Sequence, residues 1–191
     1  MKVVKLLAVS ALLVAGVAHA GGYAGFEYSN ETKRVDESES IKGALVAGFK
    51  TDNNMDYSIK MESSQAELGS GSISSGVELR AKKSLVELSS FGVTPYLGAR
   101  LGEKISSSTH FTHYAVDGGV KFPIAGALSG DVGVRYRNAF DTVNVFQSTR
   151  YHGILAYALT KQDSVALRYS QAYGDSGEEK NAWRLSYTRG F

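Results

Sequence analysis

Residues 182–191 read Ala-Trp-Arg-Leu-Ser-Tyr-Thr-Arg-Gly-Phe. In an extended chain successive side chains point to opposite sides, so Trp183, Leu185, Tyr187 and Phe191 share one face while Ala182, Arg184, Ser186, Thr188 and Gly190 share the other. One face is apolar and the other carries arginine. A helix would scatter both sets around its circumference, so this period of two selects a strand.

Working back along the chain, the pattern repeats. Val165, Leu167 and Tyr169 oppose Ala166, Arg168 and Ser170, and Leu128, Val132, Val134 and Tyr136 oppose Asp131, Gly133, Arg135 and Arg137. Val77, Leu79 and Ala81 oppose Glu78, Arg80 and Lys82; Leu97, Ala99 and Leu101 oppose Tyr96, Gly98 and Arg100. With Tyr57, Ile59 and Met61 against Lys60 and Glu62, Leu45, Ala47 and Phe49 against Lys42 and Ala44, and further segments near Phe26, Val116 and Leu155, about ten strands are expected. No segment has a helical period.

The chain has 191 residues, 21 Gly, 2 Pro and no Cys, which fits one domain and excludes a disulfide scaffold or a thiolate metal site. Lys2 and Lys5 precede an apolar run from Leu6 to Ala18, followed by His19 and Ala20. That stretch is too short to span a bilayer as a helix, and its small residues suit signal peptidase, so residues 1–20 read as a secretory signal peptide and 21–191 as the mature domain. Without Lys2 and Lys5 the chain holds 19 basic and 19 acidic residues, so its slight basicity carries no argument for nucleic acid. No later stretch is apolar for the ~18 residues a transmembrane helix needs.

A soluble sandwich would bury its apolar faces. Here those faces carry aromatics toward their ends (Tyr28, Phe49, Tyr57, Phe122, Tyr136, Tyr151 and Trp183), where the two girdles of a membrane barrel lie. Closure also leaves no unpaired edge in lipid. The expected fold is all-β: a closed antiparallel transmembrane β-barrel with short loops. An even strand number puts both termini in the periplasm. The periplasmic turns then fall near 52–54, 88–91, 124–127 and 161–164, and the outer loops near 33–39, 66–72, 103–110, 139–149 and 174–181.

The leader, the alternating strands and the terminal Phe191 after Trp183, Leu185 and Tyr187 resemble the outer-membrane β-barrel proteins of Gram-negative bacteria. The resemblance implies an outer-membrane location among lipid and lipopolysaccharide. It also implies that Phe191 marks the last strand for the barrel assembly machinery. Arg189 departs from the pattern by charging the lipid face, at a rim where it can snorkel to water.

Catalysis finds little support. His110 and His113 are an odd number of residues apart and point to opposite faces, so they cannot share a metal. Barrel-type lipid A deacylases carry Ser two residues after the His, where this chain has Thr112, Ala115 and Ile154. The omptin proteases, similar in strand number, carry their acidic and His residues on long extensions that these short loops lack. No cofactor is expected. Gly69-Ser70-Gly71-Ser72 reads as a loop and Asp175 to Glu179 as a solvated charge run.

Charge is the remaining signal. By alternation, the inward bases are Lys42, Lys50, Lys60, Arg80, Lys82, Arg100, Lys104, Lys121, Arg135, Arg137, Arg150, Arg168 and Arg184. The inward acids are Glu27, Asp56, Glu62, Glu78, Asp117 and Asp131, so the count is 13 against 6. An unpaired buried guanidinium costs several kcal/mol, so such a surplus must meet water or mobile anions. Arg135, Arg137, Arg150, Arg168 and Arg184 fall on adjacent strands as a guanidinium wall suited to carboxylate or phosphate. Small inward residues, among them Gly48, Gly98, Gly119 and Gly133, are expected to leave room. A narrow barrel with an arginine-lined wall resembles the KdgM-type oligogalacturonate porins, which implies a monomeric, anion-preferring passage for small or acidic solutes. The alternative is a non-conducting structural or adhesion barrel of the OmpX or OmpA type, its lumen filled by a charged network.

Overall fold

A computed structural model describes residues 21–34, 37–66, 73–106, 110–140, 147–174 and 179–191. Residues 1–20, Gly69 to Ser72 and most of Asp175 to Glu179 lie outside the described residues. Ten antiparallel strands follow in order: β1 (Gly22–Lys33), β2 (Glu39–Lys50), β3 (Met55–Ala66), β4 (Ile73–Ser84), β5 (Thr94–Ser106), β6 (His110–Ala125), β7 (Leu128–Ala139), β8 (Ser148–Ala158), β9 (Asp163–Gly174) and β10 (Glu179–Gly190). Each pairs with its sequence neighbours, and β1 pairs with β10 to close the barrel. The seam runs from Tyr23 opposite Gly190 to Lys33 opposite Lys180, and the backbone N–H of Phe191 extends it by donating to Gly22.

A strand of 12 residues is about 40 Å long and, tilted by about 40°, stands roughly 30 Å tall, enough to cross the apolar band of a membrane. The outward face is apolar: Phe26, Leu45, Leu79, Leu97, Leu101, Leu155, Leu167 and Leu185 are all exposed, Leu45 at 60%. In water this surface would aggregate. In lipid it is the solvent-matched face. Aromatic pairs cluster toward both ends. Phe26 with Tyr187 and Phe49 with Tyr57 lie toward the end that carries the termini; Tyr114 with Phe140, Tyr151 with Tyr173 and Tyr169 with Trp183 lie toward the other. No described helix is long and apolar enough to cross a membrane.

The connections at the terminal end match the expected turns. The tightest is Gly126-Ala127 between β6 and β7, where Gly126 takes φ of 53°. The strands run further toward the loop end than expected. Residues 103–106, 148–149 and 179–181, read as loop, are ladder.

Candidate functional site: the lumen

Lys42, Lys60, Arg80, Arg100, Arg135, Arg137, Arg150, Arg168 and Arg184 sit in the strand register on the face opposite their outward apolar neighbours. Alternation gives each residue a face. What alternation did not supply is who meets whom.

Arg100, 4% exposed, is clamped from both sides. Its Nε donates to Asp117 at 2.6 Å and its Nη1 to Glu78 at 2.7 Å, while Arg80 reaches the same Glu78 at 3.7 Å. A second cluster forms around β1. Glu27 accepts from Lys60 and Arg184, both at 2.9 Å, and Lys60 also meets Glu62 at 2.8 Å. Glu31 joins Lys42 at 3.1 Å and Arg150 at 3.2 Å. Glu31 was absent from the sequence count because the first loop was placed only two residues beyond it. The guanidinium wall is corrected at two members. Arg150 and Arg184 face acids of β1, which closure brings next to β10, so Asp131 is not the wall's only acid.

The third cluster is a row across four strands. Tyr96 on β5 pairs with Gly119 on β6, Gly119 with Gly133 on β7, and Gly133 with His152 on β8. A Cβ at either glycine would lie 2.6 Å from the Tyr96 hydroxyl, so the two glycines form the bed on which this side chain lies. The hydroxyl donates to Asp131 at 2.8 Å and, its one proton committed there, accepts from Nε2 of His152 at 3.2 Å. Lys82 sits 3.5 Å from the Tyr96 ring centre. The same device recurs where Tyr23 lies over Gly48 to reach Asp56 at 2.7 Å, and where His113 packs against Gly102.

These contacts overturn the expectation that small inward residues leave an open path. Gly48, Gly98, Gly119 and Gly133 accept side chains from other strands: Tyr23, Asp117, Tyr96 and, at Gly133, both Tyr96 and His152. The readable signal was an aromatic on the polar face of its strand, as with Tyr96 beside outward Leu97.

The lumen holds two vestibules. One, of about 250 Å³, opens toward the loop end; its wall carries eight bases, among them Arg135, Arg137 and Arg150, against four acids. The other, of about 440 Å³, opens toward the terminal end, with Lys50, Lys82 and Lys121 against Asp56. No described residue lines both. Arg80, Arg100, Asp117, Arg168 and the Tyr96 row lie between them. His110 faces outward and meets Glu103, whereas His113 and His152 are buried in the lumen. No group of His, Cys, Asp or Glu able to hold a metal occurs among the described residues.

No protein-family model matches the chain, and no curated protein matches it in sequence. Solved structures do match in shape. The KdgM porin in complex with disordered oligogalacturonate superposes with a TM-score of 0.51 at 14% identity, over 87% of this chain and 99% of that one. The fold is that of the outer-membrane β-barrels. The NanC porin matches at 0.52, with 10% identity over 86% and 98%. The COG4313 outer membrane channel from Pseudomonas putida F1 matches at 0.56, with 9% identity over 90% and 96%. At these identities the likeness concerns the fold, which together with the apolar exterior places the chain in the outer membrane.

Proposed function

We propose that the chain is a small monomeric outer-membrane channel that prefers anions and passes small or acidic solutes, without catalysis. The observation that carries this reading is the loop-end vestibule, where eight bases face four acids. A mouth with that imbalance concentrates anions and repels cations before either reaches the narrow middle. The terminal-end vestibule carries the same sign, so the potential does not reverse along the path. The oligogalacturonate-bound KdgM porin, a neighbour in fold, offers an analogy for acidic solutes. Residues 1–20 act as the cleaved leader, and Phe191 as the strand signal read by the barrel assembly machinery. The apolar belt meets lipid and the charged rims meet lipopolysaccharide.

One observation favours a non-conducting structural barrel instead: the Arg100 clamp and the Tyr96 row cross the lumen between the vestibules. Single-channel recording separates the two readings. The full chain is expressed, and the barrel is purified from outer membranes and inserted in a planar bilayer under a salt gradient. The channel reading expects discrete steps and an anion-selective reversal potential that shrinks in the Arg135→Ala/Arg168→Ala/Arg184→Ala variant. Current no greater than that of the bare bilayer would establish the structural barrel.

A further inference from the structure

We infer that the middle of the lumen is a binding site for a small, doubly charged oxyanion of the phosphate type, with Arg135 and Arg168 as its ligands. The site deepens the anion-preferring reading and relies on it only for access.

The argument is a charge balance by layer. Around β1 the balance closes, since Lys60 and Arg184 face Glu27 and Glu62. In the layer beside it, Arg80, Arg100 and Arg135 share two carboxylates, Glu78 and Asp117, while Arg168 stands opposite Arg184 and feels a Glu27 that Lys60 and Arg184 already hold. Both carboxylates are engaged by Arg100, and Arg80 shares Glu78. Two positive charges are left over. They fall on Arg135 and Arg168, neither of which has a carboxylate within 4.0 Å among the described residues. Nε and Nη2 of Arg135 are sealed from solvent and lack any hydrogen-bond partner. A buried donor without an acceptor is costly, and more so when it is charged.

Position makes the surplus a site. Arg135 and Arg184 form part of the wall of the loop-end vestibule, so an anion entering there comes alongside Arg135, whose sealed Nε and Nη2 must turn toward the vestibule to engage it. Arg168 stands opposite Arg184 in the strand register and within electrostatic range of Arg135, Arg100 and Arg80; the carboxylate in its range, Glu27, is already engaged by Lys60 and Arg184. A planar guanidinium donates two parallel hydrogen bonds to two oxygens of one phosphate or sulfate, and two such forks match a dianion in both charge and acceptor count. Chloride offers one charge and no pair of oxygens, so the geometry discriminates against it.

The test is a ligand-dependent melting curve, which does not depend on conduction. The barrel purified from outer membranes in detergent is heated in inorganic phosphate or in chloride at equal ionic strength, its folded fraction followed by heat-modifiable gel mobility. Phosphate is expected to raise the midpoint in a saturable manner that chloride does not reproduce. The Arg135→Gln/Arg168→Gln variant should weaken half-saturation by about tenfold or more, while Lys50→Gln/Lys121→Gln at the terminal-end vestibule should leave it unchanged. Equal midpoints in phosphate and chloride for the unaltered barrel, or saturable stabilisation surviving in the Arg135/Arg168 variant, would overturn the site. Should the glutamine pair fail to fold, the Arg135→Lys/Arg168→Lys pair keeps both charges without the fork. It is then expected to lose the preference for phosphate over chloride, and keeping it overturns the assignment. A barrel that binds phosphate but passes no current sinks only the channel reading; one that conducts anions without a saturable phosphate effect sinks only the site.

Discussion

The two sides of the lumen solve the same problem differently. On the side formed by β3 to β6, the central cations are each held between two acids: Arg100 between Glu78 and Asp117, and Lys60 between Glu62 and Glu27 of β1. On the side formed by β7 to β9, Arg150 is reached by Glu31 of β1 and His152 stands beside Asp131, whereas Arg135 and Arg168 have no carboxylate within 4.0 Å among the described residues. Both sides look alike in sequence, each a strand with arginine on its polar face. The difference teaches that inward charge is not a uniform property of this barrel: on one side the central cations are held by short ion pairs, and on the other two guanidiniums have no carboxylate within 4.0 Å among the described residues.

Substitution at the two arginines breaks the comparison most sharply. Arg100→Met leaves Glu78 and Asp117 without their principal partner and is expected to cost about 3–5 kcal/mol in urea unfolding of the detergent-purified barrel. Arg135→Met in chloride buffer removes an unmatched cation and should leave stability unchanged or raise it by about 1–2 kcal/mol. Equal losses at both positions would mean that the two sides are one network.

Next in size is the row that joins the sides. Gly133→Val places a branched Cβ 2.6 Å from the Tyr96 hydroxyl and 2.7 Å from the Gly118 carbonyl oxygen, and is expected to cost about 1–3 kcal/mol. If the Tyr96 row is the barrier between the vestibules, Tyr96→Ala raises single-channel conductance. An unchanged conductance would place the barrier at the Arg100 clamp. Tyr96→Phe keeps the ring on its glycine bed and deletes the donor to Asp131, so its effect is smaller, about 1 kcal/mol by the same urea titration.

Much of this was legible beforehand, for one physical reason. A lipid-facing strand must be apolar at every second position, so the ten strands and the inward arginines announce themselves by alternation. Partners do not. Glu27 and Arg184 are 157 positions apart and meet only because β1 and β10 close the barrel, a contact that no local pattern encodes. Glu31 escaped because a polar strand end in the headgroup zone looks like a loop. Gly119 carries a signal of close packing within its strand, but Gly133 reads as space, since a glycine states only that its own side chain is missing and not that Tyr96 of another strand fills the gap.

The smallest effect belongs to the charge that breaks the outward pattern. Arg189 stands opposite Asp163, and their side chains approach to 3.6 Å; Asp163 also accepts from Tyr187 at 2.5 Å and from Thr160 at 2.8 Å. This group lies at the terminal rim, where the headgroup region offers water and counter-ions, and Arg189 is half exposed. An exposed pair of this kind contributes little because solvent screens it and the free side chains lose entropy on meeting. Arg189→Leu therefore restores the apolar alternation without a measurable change in the urea midpoint. Leu45→Arg, the same charge moved to the middle of the lipid belt, is expected to cost about 2–4 kcal/mol. Should Arg189→Leu instead gain about as much stability as Leu45→Arg loses, the belt would have to extend over Arg189 itself, and the rim would lie beyond the end of β10.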